Sequence, residues 1–465
     1  MPVKRKIILK ISIFLLAVTC AYSQGRGAIF DEEAYSNLPR RAELAVLSYE
    51  GLPGSFSLKQ YAPLPGDQAD YGTCVAWAAA YAARTISESV ALNRVNQTET
   101  TQNVFSPVYI YRTIRPDDPE CMRGAQIYSA LDLMRDTGAV KMLEVERTMA
   151  FPRVNLAYYR TSRNYPIAGY VTLFSRDDRQ KPALITRIVK KSLTEGKPVI
   201  IGMNTPDSFL DAKDVWRPRE DPDYFYYGHA MCVVGYDDTR FGGAFEVLNS
   251  WGRKWGNGGY IWIPYETFVE FVTEGYEIIE NIANFSDSIK FDGFVRMEVL
   301  GSEGTAEFTL IDNRYYRTVE TYTEGTQFRY IVGARESAYV YSFSVSQSGD
   351  GRFFAPVLLF PQPGTSALLN YSGSTVVLPG EDTTLKVETA GTEYLITLYS
   401  KHALDINGIM RRFESASGSI NKRLAAAVGD DFTTALTFSE DEASFTVTPN
   451  NPRLVTALIV AVEHQ

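Results

Sequence analysis

The stretch from Cys74 to about Val90, "CVAWAAAYAARTISESV", has high helix propensity and no internal glycine or proline, and predicts a helix. A second amphipathic stretch, "AQIYSALDLMRDTGAV", closes on Gly138 as a helix C-terminus should. "ALITRIVKKSLTEGKPVIIGMN" then reads as helix, glycine-containing turn and buried strand. Ahead of these, "DEEAYSNLPRRAELAVLSYEGLPG" holds one short helix before a glycine-proline stop. Between Gly228 and Ile263 the period changes. "GHAMCVVGYDD", "GAFEVLNSWG" and "GGYIWIPY" are short apolar or alternating runs separated by glycine turns, which predicts strands of one antiparallel sheet. After about Asn284, runs such as "AYVYSFSVSQSGDGRFFAPVLLFP" and "GTEYLITLYS" alternate in period two, predicting a separate β-rich sandwich or barrel-like domain over residues 290–465. The pattern as a whole is α+β, helical early and strand-rich later.

The first residues carry a different signal. Lys4, Arg5, Lys6 and Lys10 precede the apolar run Ile11 to Val18, and small residues Ala21 and Ser23 follow. That is the layout of a secretory signal peptide over residues 1–23, cleaved after Ser23, and it predicts a secreted or periplasmic protein. The run is too short for a membrane span, and no later segment approaches about 18 uninterrupted apolar residues. Cys20 is preceded by "AVT", a poor match to the small-residue box of a lipid anchor. Residues 24–54 form a polar N-terminal segment. Without the leader, 42 basic residues face 55 acidic ones, a balance of −13 without basic blocks, which excludes nucleic acid as a partner. The roughly 440 remaining residues are enough for two or three domains with substantial cores. Three cysteines, Cys74, Cys121 and Cys232, are an odd number in a chain too large to need disulfide staples. Histidines occur only at 229, 402 and 464, which speaks against a His-rich metal site, and no metal or cofactor is expected.

A nucleophilic thiol needs its thiolate, a base for the proton and donors for the developing oxyanion. Cys74 stands where the predicted helix begins, where unpaired amides and the helix dipole favour negative charge and lower a thiol pKa. Taken alone, a cysteine among alanines also reads as a small buried hydrophobe. His229 lies in strand-like sequence, with Asn249 twenty residues on. On neighbouring strands of a hairpin-rich sheet, the amide oxygen of Asn249 can accept from one imidazole nitrogen while the other faces sulfur. A satisfied core histidine is the alternative.

Three stretches, "QADYGTCVAW", "GHAMCVVGYDD" and "VLNSWGRKWGNGGYIWI", resemble the signature of the papain-like cysteine peptidases. They stand in that family's order, with His229 155 and Asn249 175 residues after Cys74, and the similarity covers about residues 55–275. The resemblance implies a two-subdomain papain-like peptidase domain over 55–280, with the cleft between a helical half and an antiparallel β half. It implies Cys74 as nucleophile, His229 as proton carrier, Asn249 orienting His229, and Gln68 donating to the oxyanion. Trp251 would cover the His229–Asn249 bond, and Gly72, Gly124 and Trp251 would border the peptide or protein substrate. Val75 and Tyr71 depart from the pattern, which usually has tryptophan and cysteine there, so the disulfide that Cys121 would otherwise make is absent. Arg123 stands in the wall that normally has a second glycine. The loop "TPDSFLDAKDVWRPREDPDYFYY" before Gly228 can shape the cleft through Trp216 or Tyr224 to Tyr227, or pack as a surface loop. With only about thirty residues ahead of the matched region, control by a long inhibitory prosegment is not expected. The C-terminal region resembles an undefined module that accompanies bacterial peptidases. Its aromatic strands offer a face for peptide or glycan contact or, alternatively, a core. The rival functions are a non-catalytic papain-like binding or scaffold protein and a thiol-dependent acyl transferase.

Overall fold

The helix that begins at Cys74 is continuous to Ala91, through Cys74–Ala76, a π-helical stretch Trp77–Arg84 and Thr85–Ala91. The computed structural model describes residues 24–145, 156–281, 291–301, 304–312, 315–387, 390–447 and 453–465, so the expected signal peptide lies outside the described residues. Ala78, Ala79, Ala80, Ala82 and Ala83 are all buried. With nothing beyond Cβ, they let the helix lie directly against strands Val199–Asn204 and Gly228–Asp237. Helix Ile127–Asp136 ends before Gly138, whose φ of +95° suits glycine and whose N–H returns to the Leu133 carbonyl at 3.1 Å. The pattern had not predicted helix Pro107–Ile114, yet its start is written locally: Ser106 Oγ accepts from the Tyr109 N–H at 3.1 Å, and proline occupies the first turn.

The second half of this region is one antiparallel sheet in the order Gly169–Ser175, Val272–Ile279, Val199–Asn204, Gly228–Asp237, Ala244–Leu248 and Tyr260–Pro264, with Ser55–Ser57 also paired to Gly228–Asp237. The three glycine-separated runs are thus neighbours in one sheet, as the pattern predicts. This arrangement sets His229 at the start of a central strand, opposite Met203, and Asn249 just past the end of the adjacent one.

Beyond residue 290 two sheets face each other, one containing Gln327–Gly333 and Phe291–Val299, the other Ala338–Gln347, Gly391–Ser400 and Val455–His464. Tyr330 and Tyr399 are fully buried between them, Tyr399 edge-on to Phe291 and Phe445. Helices Ile406–Ser415 and Ile420–Val428 cover the outer face of the second sheet through Phe343, Ile396 and Phe413. The strand pattern gave no hint of these helices, although Asp405 caps the first by accepting from the Gly408 N–H at 2.9 Å.

Residues 38–46 are bonded to both regions. The Arg41 N–H donates to Thr172 at 2.9 Å, while Arg40 exchanges backbone bonds with Gly364 and Ser366, and the Ala45 N–H donates to Thr375 at 2.8 Å. The buried Arg41 guanidinium donates to the Tyr371 hydroxyl, which in turn donates to the fully buried Glu277. A buried charge held by several partners is expensive to separate, so this stretch is firmly tied down.

Candidate active site

His229 is fully buried at the base of the cleft, with Nε2 2.8 Å from Asn249 Oδ1. The Ser250 N–H donates to that same oxygen at 2.7 Å, which fixes it as an acceptor and therefore places the imidazole hydrogen on Nε2. Nδ1 is left with a lone pair and has no hydrogen-bond partner among the described residues. Trp251 stacks on the imidazole with ring centroids 4.5 Å apart and a 25° tilt, shielding the His229–Asn249 bond from water.

The Cys74 thiol, at the head of its helix, lies beside the backbone of Ala230, the residue after His229, and of Gly27, whose amides favour its thiolate. Gln68 is fixed at two points: its N–H donates to the Ser250 carbonyl at 2.8 Å, and its Oε1 accepts from Ser250 Oγ at 2.5 Å. Nε2 of Gln68 is thereby aimed into the cleft. Ser250 orients both Asn249 and Gln68, a role suggested in sequence only by its place in "NSWG". The Gly72 N–H donates to the Cys121 carbonyl at 2.8 Å, and a side chain at Gly72 would run into Met122. Gly124, at φ +78°, donates to the Tyr111 hydroxyl at 2.9 Å, and Tyr111 donates to Asp118 at 2.7 Å. Arg115 holds the Gly124 carbonyl from the other side. Tyr111, Arg115 and Asp118 stand outside the three signature stretches, so only the fold reveals them as supports of the wall. Cys74, His229, Asn249, Gln68, Trp251, Gly72 and Gly124 thus surround one cleft. Cys121 and Cys232 are buried free thiols, and no cluster able to hold a metal exists among the described residues. No helix among the described residues is long and apolar enough to cross a membrane.

The cleft is filled by residues 25–30 of the same chain. The Gly25 carbonyl accepts from Gln68 Nε2 at 3.0 Å and from Trp251 Nε1 at 3.1 Å. Further along, the Ala125 N–H donates to Gly27, Ala28 donates to Gly228 and Ile29 donates to Ala125, at 2.9 to 3.0 Å. The Phe30 ring packs against Gly202 and Gly228 and meets Phe225 edge-on at 6.3 Å. A side chain at Gly25 would strike the Tyr71 carbonyl, and one at Gly27 the Gly72 carbonyl. The spacing "GRG" is the sequence signal for this fit. A long prosegment is not needed to cover the cleft: a handful of residues suffices, because two glycines let the backbone lie against the floor. Of the loop residues, Trp216 is buried against Phe209 and belongs to the core, whereas Phe225 and Tyr227 border the cleft.

Burial pushes the Cys74 thiol up to about 11, overriding the backbone hydrogen bonds that favour its thiolate. The lowering expected at a helix start does not prevail while the segment covers the sulfur. His229 is pushed down to about 4, chiefly by burial, with the Asn249 bond opposing and the charge of Arg26 reinforcing the shift. Thiol and imidazole are both neutral in this state. Glu274, on the adjoining wall, is raised to about 7 by burial, with the Tyr276 hydroxyl opposing and Asp31 and Glu32 adding. Because its ordinary value is 4.5, folding favours the protonated form. Its contribution is complete below about pH 4.5 and lost as pH rises through about 7. Glu274→Gln should therefore lose less stability than the natural protein between about pH 5 and 8, by on the order of 3 kcal/mol. Urea midpoints across that range measure it, and parallel pH profiles would refute it.

Fold and cleft together are those of a cysteine peptidase. Residues 66–275 match the papain family of cysteine proteases. A peptidase C1-like protein of Acanthamoeba polyphaga mimivirus is 26% identical over 253 residues, covering 50% of this chain and 76% of the viral protein. A cysteine protease of the mite Blomia tropicalis is 25% identical over 237 residues, covering 49% of this chain and 65% of its own length. Among solved structures, xylellain, a cysteine protease from Xylella fastidiosa, aligns with a TM-score of 0.43 at 20% identity, over 56% of this chain and 96% of xylellain. The family match stops short of the β-rich region.

Proposed function

We propose that the protein hydrolyses peptide bonds with Cys74 as nucleophile, His229 as proton carrier, Asn249 as its orienting partner and Gln68 as oxyanion donor. The convergence of a helix-head thiol, an imidazole with a free Nδ1 and a fixed amide donor on one cleft carries this reading. When residues 25–30 leave, water reaches the sulfur and the imidazole. Arg26 moves away, and a thiolate–imidazolium pair becomes favourable. The sulfur then attacks the substrate carbonyl carbon, and the carbonyl electrons move to oxygen, which takes the place on Gln68 Nε2 now held by Gly25. As the intermediate collapses, the C–N bond breaks and His229 gives its proton to the leaving amine. Water then adds to the thioester, losing a proton to His229, and the sulfur departs.

A peptide carrying a vinyl sulfone or epoxide tests the assignment, since capture requires an activated thiolate. Mass spectrometry should locate the adduct on Cys74, and an adduct confined to Cys121 or Cys232 would overturn the assignment. Survival of all four groups in one geometry favours catalysis over a scaffold role. On the leader read at residues 1–23 we place the enzyme outside the cytoplasm, secreted or periplasmic, acting on peptides or proteins there.

A further inference from the structure

Arg26 lies between Gly25, whose carbonyl rests on Gln68 and Trp251, and Gly27, which meets the Cys74 thiol. Its side chain is only 11% exposed and is held on three sides. Nη1 donates to the Thr205 carbonyl at 3.0 Å, Nη2 to Asp207 Oδ1 at 2.9 Å, and the guanidinium lies over the Tyr227 ring, 3.8 Å from its centre. A carbonyl, a carboxylate and an aromatic face suit a planar cation with several donors better than an ammonium group. The receptor is also braced without Arg26. Thr205 donates to the Tyr227 carbonyl through both N–H and Oγ1, at 2.8 and 3.0 Å, and Asn204 bonds the backbone of Tyr224 and Tyr226. Asp207 is already 74% exposed on its side chain. Removing Arg26 therefore leaves an open site whose backbone frame does not depend on the departed residue.

We propose that Thr205, Asp207 and Tyr227 form a substrate subsite for arginine, directly beside the bond that is cut, which Arg26 occupies in the closed state. The inference rests on the peptidase reading above and extends it to substrate class: peptides with arginine flanking the scissile bond. It predicts that the internal segment and the substrate compete for the same three groups.

The test uses the full chain carrying Arg26→Ala and Phe30→Ala, which frees the cleft, and matched peptides with arginine, glutamine or glutamate on either side of the cut bond. Arginine should raise kcat/KM about tenfold over glutamine on one side of the bond, with glutamate poorer still. Adding Asp207→Asn should bring the arginine-to-glutamine ratio to within about twofold. Cleavage with no arginine preference would overturn the subsite and leave the peptidase reading standing. If no peptide were cut, the peptidase reading would fall. Calorimetric titration of the same peptides would then decide the subsite alone, which requires the arginine peptide to bind about tenfold tighter than the glutamine one.

Discussion

Cys74→Ala is expected to abolish peptide hydrolysis without unfolding the protein. Losing the nucleophile of a concerted catalytic set costs about 10⁴- to 10⁶-fold in turnover, because the remaining groups have nothing to activate. The structural cost is small by comparison. Cys74 is fully buried but sits at the head of a helix whose next turns are largely alanine, so alanine fits the backbone and removes one sulfur atom's contacts, about 1 kcal/mol. Circular dichroism should show an unchanged fold and a melting point within a few degrees, roughly the shift expected from 1 kcal/mol in a chain of this size. Cys232→Ala is the control, since that thiol lies in the sheet beside Ile200 and Leu248, and its removal should leave activity within about threefold. Activity of Cys74→Ala above about a hundredth of the natural rate would sink the mechanism, as would equal losses in both variants.

The residues proposed to bear the chemistry were legible in sequence because each stands in a short, stiff context. Cys74 follows a glycine turn and opens an alanine-rich helix, His229 opens a strand after Gly228, and Asn249 closes one before "SWG". Local periodicity places such residues well. It does not place residues whose role arises from tertiary contact. Ser250 matters because Gln68, 182 positions away, folds back onto it. Tyr111 and Asp118 matter because their helix end lies under Gly124. In the β-rich region, alternation announced the strands but hid the two helices, which lie between strands that already satisfied the eye. Their apolar residues Ile406, Ile409 and Phe413 follow helical spacing over barely three turns. The pKa of Cys74 runs against what its place at a helix head predicts. An open helix end favours the thiolate, but covering the sulfur with a peptide costs the thiolate more than the amides return.

That cover leads to the second large effect. Arg26→Ala with Phe30→Ala should raise the peptidase activity of the full chain about 100-fold. Arg26 contributes two charge-assisted hydrogen bonds and a ring contact, together about 2 to 3 kcal/mol, and the partly buried Phe30 contributes about 1 to 1.5 kcal/mol of apolar burial. Part of this is offset by the freedom the segment regains on leaving, which is why the expected gain lies below the full sum. The backbone bonds of Gly25, Gly27 and Ala28 remain in the variant, so the cleft would still be visited by the segment but no longer held by it. The anchor at residues 38–46 makes this opening a swing instead of a departure. Arg40, Arg41 and Ala45 are bonded to the sheet on one side and to the β-rich region on the other, and the buried Tyr35 hydroxyl is bonded to the Phe174 and Gly275 carbonyls, so the stretch that can swing lies ahead of Tyr35. A tethered inhibitor of this kind returns at a rate independent of protein concentration. Activation of the double variant should therefore be the same in dilute and concentrated solution, and should be accompanied by faster alkylation of Cys74. A natural protein already as active as the double variant would show that the segment does not govern access. Activation that faded on concentration would point to inhibition between molecules, not within one.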